Sequence, residues 1–184
     1  MYKTIGLDID NTLTHIDVAL EKIADEFNLE TISVEDVYDY DLCVCFGISG
    51  EHTQRFWNER EFEIITESKL AEERYKQILH KFGTRLSKYH IITSRHEKYR
   101  KLTEDWLKKN NIEYDKLIMT GGESKVPYLK DLKIELMVDD LPSLFHDVYN
   151  NDDVKTHMAC VRYPYNLEAP RKYLMDLQGN LLTD

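Results

Sequence analysis

Two carboxylates, Asp8 and Asp10, stand at the end of an apolar segment near the start of the chain. In a strand over this segment, Ile5, Leu7 and Ile9 share one face, as in a buried strand of a parallel sheet. Ligands of open α/β sheets bind at the carboxyl ends of such strands. Two neighbouring acids are costly to bury there unless a cation compensates them, and oxygen ligands suit Mg²⁺. The pair therefore predicts a magnesium site, and the alternative is that the acids only cap a turn.

Two later apolar segments also end in polar residues. Thr93 and Ser94 follow an Ile-Ile pair, and Asp139 and Asp140 follow Leu-Met-Val. Right-handed crossovers bring the carboxyl ends of parallel strands to one edge of the sheet, so we expect these four residues to lie near the first acids. The alternatives are a strand-end cap for Thr93 and an exposed turn for the two acids.

The candidate basic groups are one lysine and one arginine. Lys125 follows Gly-Gly-Glu-Ser at the predicted start of a short helix, where free backbone N–H groups favour an anion. This position favours Lys125 over Lys130 and Lys133 as the partner of a phosphate. Arg95 either reaches a substrate phosphate or forms a salt bridge, and the sequence leaves both open.

Apolar runs alternate with helical periodicities after residue 83. This alternation predicts an α/β fold with a Rossmann-like parallel sheet that is covered by helices on both faces. The predicted strands, including the first, cover residues 2–9, 89–93, 114–119, 134–138 and 157–161. The predicted helices of this part cover residues 95–110, 125–132, 141–149 and 171–177.

The block between the first two strands is mostly helical. The predicted pieces are helices over 16–28, 51–61 and 67–82, a short helix after Ser33, and a loop or short extended piece over 43–50. A block of this length exceeds any ordinary connection between a strand and a helix. We therefore predict a helical subdomain over 15–83, inserted into an α/β core of residues 1–14 and 84–184. The alternative is that these helices only pack on the sheet.

Composition limits the possible partners. The 184 residues carry 24 Lys and Arg against 34 Asp and Glu, a formal net charge of −10. Such a chain lacks the positive surface that nucleic acid polymers and anionic membranes require, so we expect a small anionic substrate that is held by a metal and a few basic groups. Cys43 and Cys45 are too closely spaced for a zinc pair, so the three thiols are expected to be reduced. With no secretion signal and no apolar run near the ~18 residues of a membrane span, the sequence predicts a cytoplasmic protein.

Four segments together resemble the motifs of the haloacid dehalogenase-like hydrolase superfamily. Asp8-Ile9-Asp10-Asn11-Thr12 resembles motif I (D-x-D-x-T), and Ile91-Ile92-Thr93-Ser94 resembles motif II. Lys125 resembles the lysine of motif III, and the run from Leu136 to Asp140 resembles motif IV. The match spans roughly residues 4–140. The long insert after motif I and the Ile-Thr-Ser-Arg form of motif II look most like the 5'(3')-deoxyribonucleotidase branch and its bacterial relatives.

The resemblance implies a role for each of these residues. Asp8 would be the nucleophile that forms an aspartyl-phosphate, and Asp10 would protonate the leaving group and bind Mg²⁺ through its backbone carbonyl. Asp8, Asp139 and Asp140 would supply or orient the other metal ligands, and Lys125 would hold both the phosphate and Asp8. Phosphate binding would also involve the Thr93 hydroxyl and backbone N–H groups around Ile9 and Ser94. The second acid of motif I makes a phosphatase or phosphomutase more fitting than a dehalogenase.

The deoxyribonucleotidase resemblance also implies a substrate, a nucleoside monophosphate. The helical insert would then be a cap that closes over the site and stacks aromatic side chains on the base. The candidates for that contact are Tyr38, Tyr40, Phe46, Phe56 and Trp57. The alternatives are a sugar phosphate or another small metabolite as substrate, a phosphomutase, and a non-catalytic binding protein that keeps the fold.

Overall fold

The computed structural model describes residues 1–182, which form a seven-stranded sheet with helices on both faces. The strand order is β3-β2-β1-β4-β5-β6-β7, and every neighbouring pair is parallel except β6 and β7. This confirms the predicted α/β class with its parallel, Rossmann-like sheet. The strands are β1 Thr4–Leu7, β2 Lys88–Thr93, β3 Lys116–Met119, β4 Leu136–Asp139, β5 His157–Val161, β6 Tyr173–Met175 and β7 Leu181–Leu182.

The alternation of side chains along the strands produces two apolar layers. On one face, Ile5 and Ile91 belong to a buried cluster that includes Trp106 of the helix between β2 and β3. On the other face, Ile92 and Met137 belong to a second cluster, which includes side chains of the two helices that flank β4. The helices are α1 Asp17–Phe27, α2 Leu42–Cys45, α3 Glu51–Glu67, α4 Glu72–Phe82, α5 Arg100–Lys109, α6 Val126–Asp131 and α7 Pro142–Tyr149.

The central position of β1 determines where the polar strand ends meet. Leu7 lies opposite Ile91 of β2 on one side and Val138 of β4 on the other. The residues that follow these three positions therefore emerge side by side at the carboxyl edge of the sheet. This edge is the predicted location of the site.

The segment between β1 and β2 is helical, as predicted, with different boundaries. Residues 43–50 are predicted to be a loop or a short extended piece, but Leu42–Cys45 forms a one-turn helix. Asp41 caps this helix, with Cys43 N donating to Asp41 Oδ1 at 3.2 Å. The helix predicted from 67 begins only at Glu72. Buried side chains of this block and of the sheet belong to one apolar cluster. The division into core and helical subdomain stays a prediction.

The predicted helix over 171–177 is wrong. Tyr173–Met175 instead forms β6, which pairs with β5 in parallel and with β7 in antiparallel orientation. The turn between β6 and β7 is closed by Asp176, whose Oδ1 accepts from Gln178 N at 3.0 Å and Asn180 N at 2.8 Å, and Gly179 takes a φ of +86° there. The last two residues of the predicted core range, 183 and 184, lie outside the described residues. Within residues 1–182, no helix is long and apolar enough to cross a membrane.

Candidate active site

Residues from all four motifs come together at the carboxyl edge of the sheet. Asp8 follows β1, Thr93 and Asp139 end β2 and β4, and Lys125 precedes α6. Lys125 Nζ donates to Asp8 Oδ1 at 2.6 Å and to Asp139 Oδ2 at 2.8 Å, and all three side chains are buried. Lys130, one of the two competing lysines, instead has its Nζ 3.7 Å from Asp153 Oδ2 on the surface.

Burial and charge set the protonation of this cluster. Burial raises the pKa of Asp8, and the nearby Lys125 ammonium opposes this rise. Burial favours a neutral amine at Lys125, but Asp139 and Asp8 outweigh it and raise its pKa. Burial, together with Asp139, raises the pKa of Asp140 to about 7. When all three buried carboxylates are ionised, the one ammonium leaves excess negative charge, which a further cation would neutralise.

The same carboxylates form a candidate metal site. Asp8, Asp139 and Asp140 each offer an oxygen, and these oxygens lie within 4.8 Å of one another. An all-oxygen set of this charge fits a hard divalent cation. Asp139 Oδ1 accepts from the backbone N–H groups of Asp140 and Leu141, both at 2.9 Å, which fixes the orientation of its carboxylate.

The carboxylate of Asp140 is held by two hydroxyl groups. Thr12 Oγ1 donates to Asp140 Oδ1 at 3.0 Å, and the Tyr165 hydroxyl donates to Oδ2 at 2.6 Å. Asn166 Nδ2 also donates to the Asp140 backbone carbonyl at 3.0 Å. Such outer contacts orient metal ligands. Tyr165 and Asn166 belong to none of the four motifs, and their position shortly after β5 is the signal in the sequence that points to them.

Asp10 lies outside the buried cluster and pairs with Arg95. Arg95 Nε donates to Asp10 Oδ2 at 2.8 Å and Nη2 donates to Oδ1 at 2.7 Å. The Arg95 side chain is 2% exposed, whereas that of Asp10 is 45% exposed and faces an open pocket. Of the two roles left open for Arg95, the structure shows the salt bridge.

The loop after β1 is held by a second arginine, which sequence analysis missed. Arg74 of α4 is 1% exposed, and its Nη1 donates to the carbonyls of Asn11, Thr12 and Thr14 at 2.8, 2.9 and 3.3 Å. The Tyr163 hydroxyl also donates to the Asn11 carbonyl at 2.8 Å. Asn11 has a φ of +59°, a left-handed conformation that Asn tolerates better than most residues. The chain therefore turns directly after Asp10.

Thr93 ends β2 and Ser94 follows it, at the same edge of the sheet as Asp8. Thr93 is fully buried, and its Oγ1 accepts from Arg95 N at 3.4 Å, whereas Ser94 is half-buried. Their contacts with phosphate stay predictions. Thr120 follows the next strand, and its backbone N–H donates to the Thr93 carbonyl at 2.9 Å, so it belongs to the same edge.

A pocket of about 290 Å³ opens beside Asp10 and Arg95. Of the five candidate aromatic residues, Tyr40 and Trp57 line it. Phe56 is buried in the core instead, and the Tyr38 hydroxyl donates to the Val44 carbonyl. The pocket is also lined by Asn11, Thr14, His15, Ala19, Asp41, Leu42, Glu61, Ile64, Ile65 and Ser68.

Comparison with known proteins identifies relatives that are named nucleotidases and a hydrolase structure with the same fold. A Bacillus subtilis protein named "Putative nucleotidase YqfW" is 34% identical over 136 residues, which cover 74% of this chain and 69% of that protein. A Halalkalibacterium halodurans protein named "Putative nucleotidase BH1399" is 26% identical over 138 residues, 75% of this chain and 69% of that protein. The crystal structure of a "Putative haloacid dehalogenase-like hydrolase" from Bacteroides fragilis matches the fold with a TM-score of 0.61 over 95% of this chain and 96% of that chain, at 14% identity. No family model matches the chain.

A parallel sheet with buried acids and a lysine at its carboxyl edge is the arrangement that the four motifs imply for a phosphatase. The chain belongs to the haloacid dehalogenase-like hydrolase superfamily, in its nucleotidase branch. It is a phosphatase, and its relatives imply a small phosphorylated substrate. Phosphatases of this superfamily generally use a metal ion, for which Asp8, Asp139 and Asp140 offer ligands.

Proposed function

We propose that the protein hydrolyses (deoxy)nucleoside 5'-monophosphates in a Mg²⁺-dependent reaction that passes through an aspartyl-phosphate on Asp8. The observation that carries this proposal is the placement of two acids with opposite environments. Asp8 is buried against Lys125 at 2.6 Å, whereas Asp10 is half exposed and turned towards the pocket by Arg95. A buried carboxylate beside a cation suits a nucleophile, and an exposed one suits proton exchange with a leaving group or water.

The residues of the site divide the reaction into two steps. In the first, an Asp8 oxygen attacks phosphorus, the bond from phosphorus to the ester oxygen breaks, and Asp10 gives its proton to the leaving oxygen. In the second, the Asp10 carboxylate takes a proton from water, the water oxygen attacks phosphorus, and Asp8 is released with inorganic phosphate. Lys125 holds Asp8 Oδ1, which leaves Oδ2 for the attack. When bound, Mg²⁺ would neutralise charge on the transferring phosphoryl group.

Asp8, Asp139, Asp140 and the backbone carbonyl of Asp10 are the proposed metal ligands. The phosphate would be held by the Thr93 hydroxyl, the backbone around Ser94 and Lys125. The oxygen-only chemistry of these groups supports Mg²⁺ over softer metals.

The substrate assignment is supported by the pocket and by the names of the relatives. Tyr40 and Trp57 offer rings on which a planar base can stack, beside the proposed general acid. Ala19, Leu42 and Trp57, which belong to the helical block over residues 15–83, line the pocket. We therefore assign this block the role of a cap that covers the leaving group, and residues 1–14 and 84–184 that of the catalytic core.

The test is phosphate release from nucleoside monophosphates, sugar phosphates and p-nitrophenyl phosphate, with Mg²⁺ and with EDTA. We expect Mg²⁺-dependent turnover that is concentrated in the nucleotides. Turnover concentrated in sugar phosphates would reject the substrate, and turnover that is unchanged in EDTA would reject the metal. If the folded protein turns over no ester, the non-catalytic alternative replaces the proposal.

Two pairs of variants test the assigned residues. Asp8→Asn should abolish turnover and the acid-stable phosphoenzyme while the protein stays folded, whereas Asp147→Asn, an exposed acid on α7, should change neither. Lys125→Ala should lose far more activity than Lys130→Ala, because only Lys125 contacts Asp8. Substantial turnover by Asp8→Asn would refute the nucleophile.

A further inference from the structure

The pocket carries two carboxylates that the proposed chemistry does not use. Asp41, which precedes α2, and Glu61 of α3 both line it, together with Tyr40 and Trp57. The Glu61 side chain is only 23% exposed, and burial raises its pKa, opposed by Lys98 and His96. A carboxylate that is poorly solvated in this way gains from any hydrogen-bond donor that a ligand brings.

Little positive charge is left in the pocket to balance these acids. Among the described residues that line the pocket, Arg95 is the one with a permanently charged basic side chain. Its guanidinium already donates to both carboxylate oxygens of Asp10. Burial and the nearby Arg74 lower the pKa of His15, which keeps this imidazole neutral at pH 7. Lys98 Nζ lies 3.9 Å from Glu61 Oε2, but its side chain is 55% exposed, so solvent screens it.

The two ends of the site therefore select for different charges. At the phosphate end, Lys125 and a bound cation favour an anion. At the leaving-group end, Asp41 and Glu61 oppose one, because like charges brought together in a partly buried site are strongly unfavourable.

On the basis of the proposed phosphatase function, we propose that this pocket selects leaving groups that are uncharged and carry N–H or O–H donors, and that Glu61 rejects leaving groups with a second anionic group. Nucleosides meet both conditions, since their bases and sugars carry donors and no charge. Hydroxy-acid phosphates and bisphosphates fail the condition on charge, because their leaving groups carry a second anionic group. The rings of the pocket select for shape, and Glu61 selects for charge.

The test compares substrates that differ by one carboxylate. The first pair is uridine 5'-monophosphate and its 6-carboxy derivative, orotidine 5'-monophosphate. The second pair, which is independent of base recognition, is 2-hydroxyethyl phosphate and phosphoglycolate. We expect the wild-type protein to prefer the uncharged member of each pair by on the order of 10- to 100-fold in kcat/KM, the size of a like-charge contact in a partly screened site.

Glu61→Gln keeps the size of the side chain and removes its charge, so it should reduce this preference by at least about tenfold, mainly through the KM of the charged substrate. The control is Glu59→Gln on the same helix, where Glu59 and its partner Arg55 are more than half exposed and 3.8 Å apart. This variant should keep the wild-type preference. An unchanged preference in folded Glu61→Gln would overturn the assignment of Glu61.

A second measurement needs no variant. Because the preference is electrostatic, added KCl should reduce it in the wild-type protein. Equal kcat/KM for both members of each pair at low salt would overturn the inference while leaving the proposed phosphatase intact. Absence of turnover with every substrate would instead refute the proposed function itself.

Discussion

Arg74 should stabilise the fold and the loop after β1 together, and Arg74→Met tests this. The substitution keeps an apolar side chain of similar length and removes every hydrogen bond of the guanidinium. Besides the three loop carbonyls, Arg74 Nε donates to the Leu177 carbonyl at 2.8 Å, so one side chain joins α4, the loop and the turn after β6.

The size of the effect follows from the carbonyls that lose their donor. The Asn11 carbonyl keeps the Tyr163 hydroxyl, but those of Thr12 and Leu177 lose a short hydrogen bond. A buried polar group left without a partner costs about 1–3 kcal/mol, and removing a buried charge returns part of its desolvation cost. We therefore expect the free energy of unfolding to fall by about 2–4 kcal/mol, or roughly 4–16 °C in Tm for a chain of this size.

The assay is urea and thermal denaturation, with kcat measured well below the melting temperature. The control Lys76→Met lies on the exposed side of α4, where Lys76 pairs with Glu72 at 3.5 Å, and it should change stability by less than about 0.5 kcal/mol. Folded Arg74→Met should also lose kcat, because the loop that carries Asp10 and Thr12 is less well held. Equal stability of Arg74→Met and wild type would refute the role of Arg74, and reduced stability with unchanged kcat would refute the link to catalysis.

Three further expectations concern the site. Arg95→Met should slow the hydrolysis of alkyl phosphates by about 10–100-fold, because Arg95 positions Asp10 and a poor leaving group needs the proton of Asp10. The hydrolysis of p-nitrophenyl phosphate, which has a good leaving group, should slow much less. Equal losses with both substrates would contradict this positioning role of Arg95. Tyr165→Phe should weaken Mg²⁺ binding, measured by calorimetry, by about 10-fold or more, since Tyr165 orients Asp140; unchanged affinity would rule this out. In EDTA, the free energy of unfolding should fall as the pH rises from about 4 to about 7. The reason is that the raised pKa of Asp140 lets the folded protein keep a proton that the unfolded chain releases. Urea titrations that show rising stability in this range would refute this prediction.

The sequence by itself determined the parallel strands β1 to β5 and the edge of the sheet that carries the candidate site. The apolar runs before Asp8, Thr93 and Asp139 favour buried strands, and right-handed parallel connections bring the ends of such strands to one edge of the sheet. Lys125 was distinguishable from Lys130 because its position before a helix is a local property. These features depend on periodicity and chain connection, which the sequence contains directly.

The tertiary structure alone decided which distant groups meet. Asp10 and Arg95 are 85 positions apart, and Arg74 reaches carbonyls about 60 positions away, so no local pattern indicates either contact. The same reason explains why β6 was mistaken for a helix, since a three-residue strand is stabilised by its pairing with β5 and not by its own propensity. Periodicity tells which side chains face inward, but the partner of a buried polar group depends on how the elements pack against each other.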